Sequence, residues 1–233
     1  MPHKSFRAAR GSEFHRREID LVADLIGHLP AYLHRERMTC AIRREVGVGR
    51  SIADVVAAVM PSRTLRVPPA LTVRESVIVS TLRTHGGTRI DLLEQLCGMP
   101  SGSLRDGELD RLVALGVIVR GDGGRVALGG RWFRSAALVA IEAKLLRWLD
   151  ALEQAIEYRR FADRVYVALP ADCVRAALKS RARFEAAGVG LLGVNGSIKC
   201  EIRAPKTCVH DWRREYVYSR VLGAMPRGPS ESN

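Results

Sequence analysis

Two charges sit where packing alone would not put them. The stretch Ala136 to Lys144, AALVAIEAK, is mostly apolar and predicts a strand buried on both faces, yet it ends in Glu142 and Lys144. Strand side chains alternate, so residues two apart point the same way. A carboxylate and an ammonium at the end of an apolar run are costly unless they pair, bind a metal or border a site. Other acids raise the same question. Asp54 precedes the apolar run VVAAVM, although Asp suits neither strands nor cores. Glu18 falls inside the apolar stripe Phe14, Leu21, Val22, Leu25, Leu29, so it either faces a site or lies at the margin of the stripe and reaches water. Glu45 precedes Asp54 by nine residues, on a neighbouring predicted strand. It is placed either to join Asp54 or to pair with Arg43 or Arg50.

The elements that must hold these residues follow in order. Residues 1–12 are polar and read as a loose tail. A helix is expected from an N-cap at Ser12 to about His28, ahead of Pro30. Met38 to Met60 predicts a hairpin with strands near 40–46 and 52–59, turning about Gly47 and Gly49. The proline-rich residues 61–70 form a linker. Three helices come next: one from Thr72 to Gly86, one capped by Thr88, and one within SGSLRDGELDRLVALG that ends at Gly116. VIVR and RVAL then pair around a glycine-rich turn. The apolar strand at 136–145 precedes a helix from Leu146 to Phe161, which places Gln154 and Tyr158 on one face. A buried strand at Asp163 to Pro170 and a helix from Asp172 to Ala187, capped by Gly188, come next. Two short strands turning at Asn195 and Gly196 and a helix from Val209 to Leu222 complete the fold, with 223–233 as a second tail.

Composition bounds the function. The 233 residues are 47% hydrophobic and 27% charged, enough for a substantial core. No apolar run approaches the ~20 residues of a membrane span and the N-terminus lacks the apolar segment of a signal peptide, so a cytoplasmic protein without membrane contact is expected. Five scattered cysteines form no C-x-x-C pair, and reduced thiols are the default. Cys200, Cys208 and His210 have a spacing that fits no common zinc site, and GVGLLGVNG lacks the Gly-Lys-Ser/Thr of a phosphate loop. The net charge of +12 implies a polyanionic partner, most simply nucleic acid, or else a solvated basic surface. The basic excess lies outside residues 71–128, which hold 7 Lys/Arg against 7 Asp/Glu. Arg159, Arg160 and Arg164 cluster at the end of one predicted helix; Arg175, Lys179, Arg181 and Arg183 stud the next, facing either phosphate or solvent.

Three helices followed by a two-stranded wing make residues 71–128 resemble a winged-helix (α+β) domain. Such a domain most often reads DNA through its third helix. Here that helix sets Arg105 and Arg111 against Asp106, Glu108 and Asp110, which leaves contact with a protein partner as the other reading. Arg120 and Arg125 flank the wing and could contact phosphates. Without this segment the order is helix, strand, strand, strand, helix, strand. With Asp54, Glu142-x-Lys144 and Gln154-x-x-x-Tyr158 on those elements, the chain resembles the PD-(D/E)XK nuclease superfamily, and the helix motif is similar to its RecB-like and lambda-exonuclease-like branches.

The resemblance implies an α/β restriction-endonuclease-like core, a mixed central sheet flanked by helices, formed by residues 13–66 and 129–222 with the winged helix inserted at 71–128. It implies a DNA nuclease dependent on Mg²⁺ (or Mn²⁺), in which Asp54, Glu142 and the carbonyl of Ala143 ligate the metal. Lys144 would position and help deprotonate the attacking water, or balance the charge on the phosphate. Glu18 or Glu45 would supply a further acid, and Gln154 and Tyr158 would support the site. Nucleic-acid contacts are expected from Arg120, Arg125, Arg159, Arg160, Lys179 and Arg183. Ala53 stands where many members carry proline. The rival readings are a non-catalytic DNA-binding or adaptor protein that retains the fold, and a transcription regulator that uses the wing.

Overall fold

The computed structural model describes residues 15, 17–33, 38–61, 69–104, 107–130 and 137–223. Ser12, Phe14, Arg105, Asp106 and both expected tails, Gly223 apart, lie outside these. In chain order the elements begin with α1 (Glu18–Leu33), β1 (Met38–Val48) and β2 (Ser51–Pro61). A middle segment follows: α2 (Val73–His85), β3 (Thr88–Arg89), α3 (Ile90–Leu96), α4 (Glu108–Ala114), β4 (Ile118–Arg120) and β5 (Arg125–Leu128). The chain then forms β6 (Ala137–Ala143), α5 (Trp148–Tyr158), β7 (Arg164–Pro170), α6 (Val174–Leu178), α7 (Arg181–Ala187), β8 (Gly190–Val194), β9 (Ile198–Ile202) and α8 (Trp212–Leu222).

A mixed six-stranded sheet, ordered β1-β2-β6-β7-β8-β9, is the centre of an α/β fold. Only β6, β7 and β8 run parallel to one another, joined by helical crossovers. The apolar runs are unbroken because helices cover both faces of the inner strands, the crossovers on one and α1 on the other. On one face Leu21, Leu25 and Leu29 of α1 pack on Val55, Ala57, Val139 and Ile141. On the other, Ala151, Ala155 and Tyr158 of α5, Phe184 of α7 and Val217 and Val221 of α8 pack on Val56, Ala58, Leu138 and Ala140. Each large apolar side chain so buried contributes roughly 1.5–3 kcal/mol. Among the described residues no helix is long and apolar enough to cross a membrane.

Several boundaries differ from expectation for local reasons. Helix α1 continues through Pro30 to Leu33 instead of stopping before it. Pro30 is exposed in the last turn, where it removes one intrahelical bond, while the fully buried Leu29 pins that turn to the sheet. Thr88 caps no helix: it is buried and pairs with Val126 in a second sheet, ordered β3-β5-β4. The single helix expected from Asp172 to Ala187 is two, α6 and α7, separated by Lys179 and Ser180. Helix α8 starts at Trp212 rather than Val209 because the Asp211 carboxylate accepts from the Arg213 N–H at 2.7 Å, a side-chain N-cap.

The middle segment is joined to the main sheet by α8. Arg83 of α2 meets the buried Glu215 of α8 through Nε at 2.6 Å and Nη2 at 3.2 Å, a forked carboxylate contact. The Leu71 N–H donates to Ser219 Oγ at 3.1 Å. On its other side α8 places Arg214 on the buried Asp163, which also accepts the Leu138 N–H at the start of β6. One apolar core therefore runs from beneath α5 into α2, α3 and α4.

Candidate active site

The carboxylates expected to matter gather where β6 ends. The β2–β6 ladder stops at the pair Val55 and Ile141, and the same register places Asp54 beside Glu142. Asp54 takes over where backbone pairing stops, its Oδ2 accepting the Ala143 N–H at 2.8 Å. Glu142 projects toward α5, where its side chain is only 3% exposed. Tyr158 Oη lies 2.6 Å from its Oε2 and 2.7 Å from the carbonyl oxygen of Ile52. Lys144, just past the strand, has its own N–H on the Ala168 carbonyl. Its ammonium stands 3.2 Å from Glu142 Oε1 and 3.4 Å from Glu18 Oε2.

Glu18 comes to this edge because α1 is anchored at its middle. Asp24 of that helix accepts the Gly196 N–H in the β8–β9 turn at 3.0 Å and meets His15 at 2.8 Å. Glu18 is thus exposed yet directed at Lys144, which combines the two expectations for it. Glu45 lies opposite Asp54 in the hairpin register, between the pairs Arg44–Val55 and Val46–Ala53. Its φ of 51° is the only left-handed value among described non-glycine residues, and its side chain is exposed. Neither expected arginine partner holds it: Arg43 donates to the Arg220 carbonyl at 2.8 Å, and Arg50 makes no ion pair among the described residues.

Burial and mutual repulsion set the protonation of this group. Burial raises the Glu142 carboxyl above its ordinary value and nearby Asp54 adds to the rise, against opposition from Tyr158 and Lys144. Asp54 is raised by burial too, with Glu18 and Glu45 contributing, while the Ala143 N–H lowers it. For Lys144 burial works against the ammonium, but Glu142, Glu18 and Asp54 outweigh it and the pKa rises. The lysine is therefore a held cation at neutral pH. Tyr158 is held in its neutral form by burial and by Glu142.

Gln154, one turn before Tyr158, makes no hydrogen bond among the described residues. It lines an open cleft of about 440 Å³ with Arg50, Ser51, Ile52, Glu157 and Tyr158. Ile52 of this cleft escaped the sequence reading, which took Arg50 only as a partner for Glu45; the signal for both was their place beside the Gly49 turn. Of the basic residues, Arg120 pairs with Asp110, and Arg125 donates to the Gly87 carbonyl at 2.9 Å. Arg159 is half-buried and donates to the Ala187 carbonyl at 2.8 Å, and Arg160 pairs with Glu157 at 3.3 Å. Lys179 and Arg183 are exposed.

Two carboxylates and the strand-end carbonyl of Ala143 make an all-oxygen set, the kind a hard divalent cation takes, with Glu18 and Glu45 beside it. Among the described residues no three His, Cys, Asp or Glu side chains are already drawn together as a metal-holding group. Ligation would thus require the side chains to close on the ion and water to fill the remaining positions. Comparison with protein families, with curated proteins and with solved structures found no match to this chain.

Proposed function

We propose that this chain is a divalent-metal-dependent deoxyribonuclease acting at the end of β6. The observation that carries the reading is the gathering of Glu142, Asp54 and Lys144, with Glu18 facing them from a third element, at one strand edge. Buried acids are expensive, and none of these side chains is needed to fill the core. Asp54 and Glu142, with the Ala143 carbonyl, would hold Mg²⁺ or Mn²⁺. Such an ion, when bound, would draw charge from the scissile phosphate and lower the pKa of a water.

The chain's own groups divide the remaining work. Lys144, whose ammonium form its neighbouring acids favour, offsets charge on the phosphate and orients the attacking water. Glu18 holds that ammonium from the α1 side, and Tyr158 fixes the rotamer of Glu142 from the α5 side. The architecture is in keeping with a PD-(D/E)XK core whose inserted segment is a winged helix. On α4 of that segment Glu108 pairs with Arg74, while Arg111 turns to Glu75 and the Ala70 carbonyl. Those pairings favour a protein partner or substrate positioning for it over base reading.

A second reading, a non-catalytic DNA-binding or adaptor protein, is favoured by one fact. Both oxygens of Glu142 and one of Asp54 are already satisfied within the protein. One experiment separates the two: incubation with Mg²⁺ or Mn²⁺ and linear, nicked, branched or single-stranded DNA, alongside calorimetric metal titration. Cleavage that drops by about 10²-fold or more in Glu142→Ala and in Lys144→Ala supports the enzyme. Absence of both metal binding and cleavage leaves the adaptor, and activity persisting in both variants moves the site elsewhere.

A further inference from the structure

At the opposite end of the sheet from the acids lies a second cleft, of about 440 Å³, lined by Arg164, Glu185, Val189, Arg203, Pro205 and Lys206. Arg164 opens β7 in register with Val139, whereas Ala168, four residues on, is in register with Ala143. At a strand's rise that is roughly 13 Å along the sheet from the β6 end that carries Glu142.

The charges around this cleft do not balance. Glu185 is paired with Arg181 at 3.4 Å, and nearby Glu201 with Lys199 at 3.0 Å. Arg164 donates through Nη1 to the Ala204 carbonyl at 2.6 Å, which ties it into the wall without neutralising it. Arg203 and Lys206 are exposed and have no ionic or hydrogen-bonding partner among the described residues. Both local acids are thus matched, and three cations on one concave surface are left over. Like charges held together repel, and an anion seated among them offsets that repulsion. An anchored guanidinium, a free guanidinium and an ammonium suit a phosphate better than a single carboxylate, because phosphate offers more acceptor oxygens and more charge. The volume falls within the ordinary range for small-ligand sites.

We propose that this cleft is a phosphate-binding site, in which Arg203 and Lys206 hold the oxygens and Arg164 forms the fixed wall. The ligand is a phosphate group, either of a free nucleotide or pyrophosphate or of a nucleic-acid backbone. The site is independent of the chemistry at Glu142 and is tested without divalent metal.

In buffer containing a chelator, the full chain is titrated calorimetrically with sodium pyrophosphate and, by fluorescence anisotropy, with a labelled short oligothymidylate. The variant Arg203→Gln/Lys206→Gln is compared with Arg44→Gln/Arg175→Gln, which removes the same charge from exposed positions elsewhere. A loss of about tenfold or more in pyrophosphate affinity confined to the first variant assigns a small-ligand phosphate site. A loss confined to the oligonucleotide, with a salt dependence shallower by about one to two contacts, assigns a backbone contact. Failure of the wild type to bind either probe, or equal weakening in both variants, overturns the proposal. All four side chains are exposed, and unchanged circular dichroism melting shows that the variants remain folded.

Discussion

Replacing Tyr158 by Phe removes one oxygen and leaves a ring that packs beside Phe161 at 5.8 Å between centroids. That oxygen carries one proton and faces two acceptors, Glu142 Oε2 at 2.6 Å and the Ile52 carbonyl at 2.7 Å. When Glu142 is ionised the proton must go to the carboxylate. When Glu142 is protonated it can donate to the tyrosine oxygen, which frees the hydroxyl proton for Ile52. The loss should therefore be largest above the raised pKa of Glu142, where the bond is charge-assisted.

A hydrogen bond to a charged group contributes about 1.5–3 kcal/mol, and the buried Glu142 oxygen left behind is poorly placed to recover it from water. For a chain of this length that corresponds to a fall of roughly 4–10 °C in the melting midpoint. Urea unfolding of wild type, Tyr158→Phe, Glu142→Gln and the double variant at pH 8 gives the coupling directly. A coupling of about 1 kcal/mol or more is expected, and it should shrink in acid. A loss below about 0.5 kcal/mol in the single variant, or zero coupling, would refute the role given to this hydroxyl.

The same site sets two further outcomes, and the α2–α8 contact sets a third. Burial raises the folded-state pKa of Glu142 above its ordinary value, so the native state keeps a proton that the unfolded chain releases. Stability should consequently decline as pH rises through that interval, and Glu142→Gln should flatten the decline; equal slopes by urea titration across pH would contradict it. That proton also competes with cations, so calorimetric Mn²⁺ affinity should increase with pH over the same interval and release protons, against a flat profile if neither acid ligates. Away from the site, Arg83→Met leaves the Glu215 carboxylate, 2% exposed, without its forked arginine. It should cost about 3 kcal/mol while unfolding remains a single transition, and a loss under about 1 kcal/mol would mean that α2 and α8 are not coupled through this pair.

What could be read from the sequence was whatever burial imprints on composition. VVAAVM, LVAIEA and VYVALP are apolar without alternation because helices cover both sides of those strands, and that pattern needs no partner to be recognised. Glu142 and Lys144 stood out for the same reason. Partner choice left no such trace. Arg159 reads as a surface cation at a helix end, yet its guanidinium meets the Ala187 carbonyl and lies where a side chain on Gly188 would fall, a Cβ there coming within 2.9 Å of Cζ. Arg120 reads as a phosphate contact, and its pairing with Asp110 depends on how β4 lies against α4. Pro30 reads as a stop because propensity weighs one lost bond and cannot weigh the burial of Leu29 beneath the same turn.

The placement of Asp54 was the least legible part, and the hairpin explains it. Along β2, Val55 and Ala57 face α1, whereas Val56 and Ala58 face α5 and α8; yet Ala53 packs with the latter, so alternation slips across Asp54. The partner strand slips at the facing position, where Ala41 and Val46 share one core although they stand five positions apart, an odd step that alternation would place on opposite faces. Between those residues stands Glu45 with its left-handed backbone, a conformation that costs a non-glycine residue on the order of 1 kcal/mol. An unslipped hairpin would continue to alternate and direct Asp54 onto one face of the sheet. With the slip, its carboxylate lies where it can take the Ala143 N–H in place of a backbone acceptor, beside Glu142 and at the end of the ladder. The strain at Glu45 and the position of Asp54 are thus two sides of one distortion. Hydrophobic periodicity could not reveal it, because the distortion is a break in that periodicity.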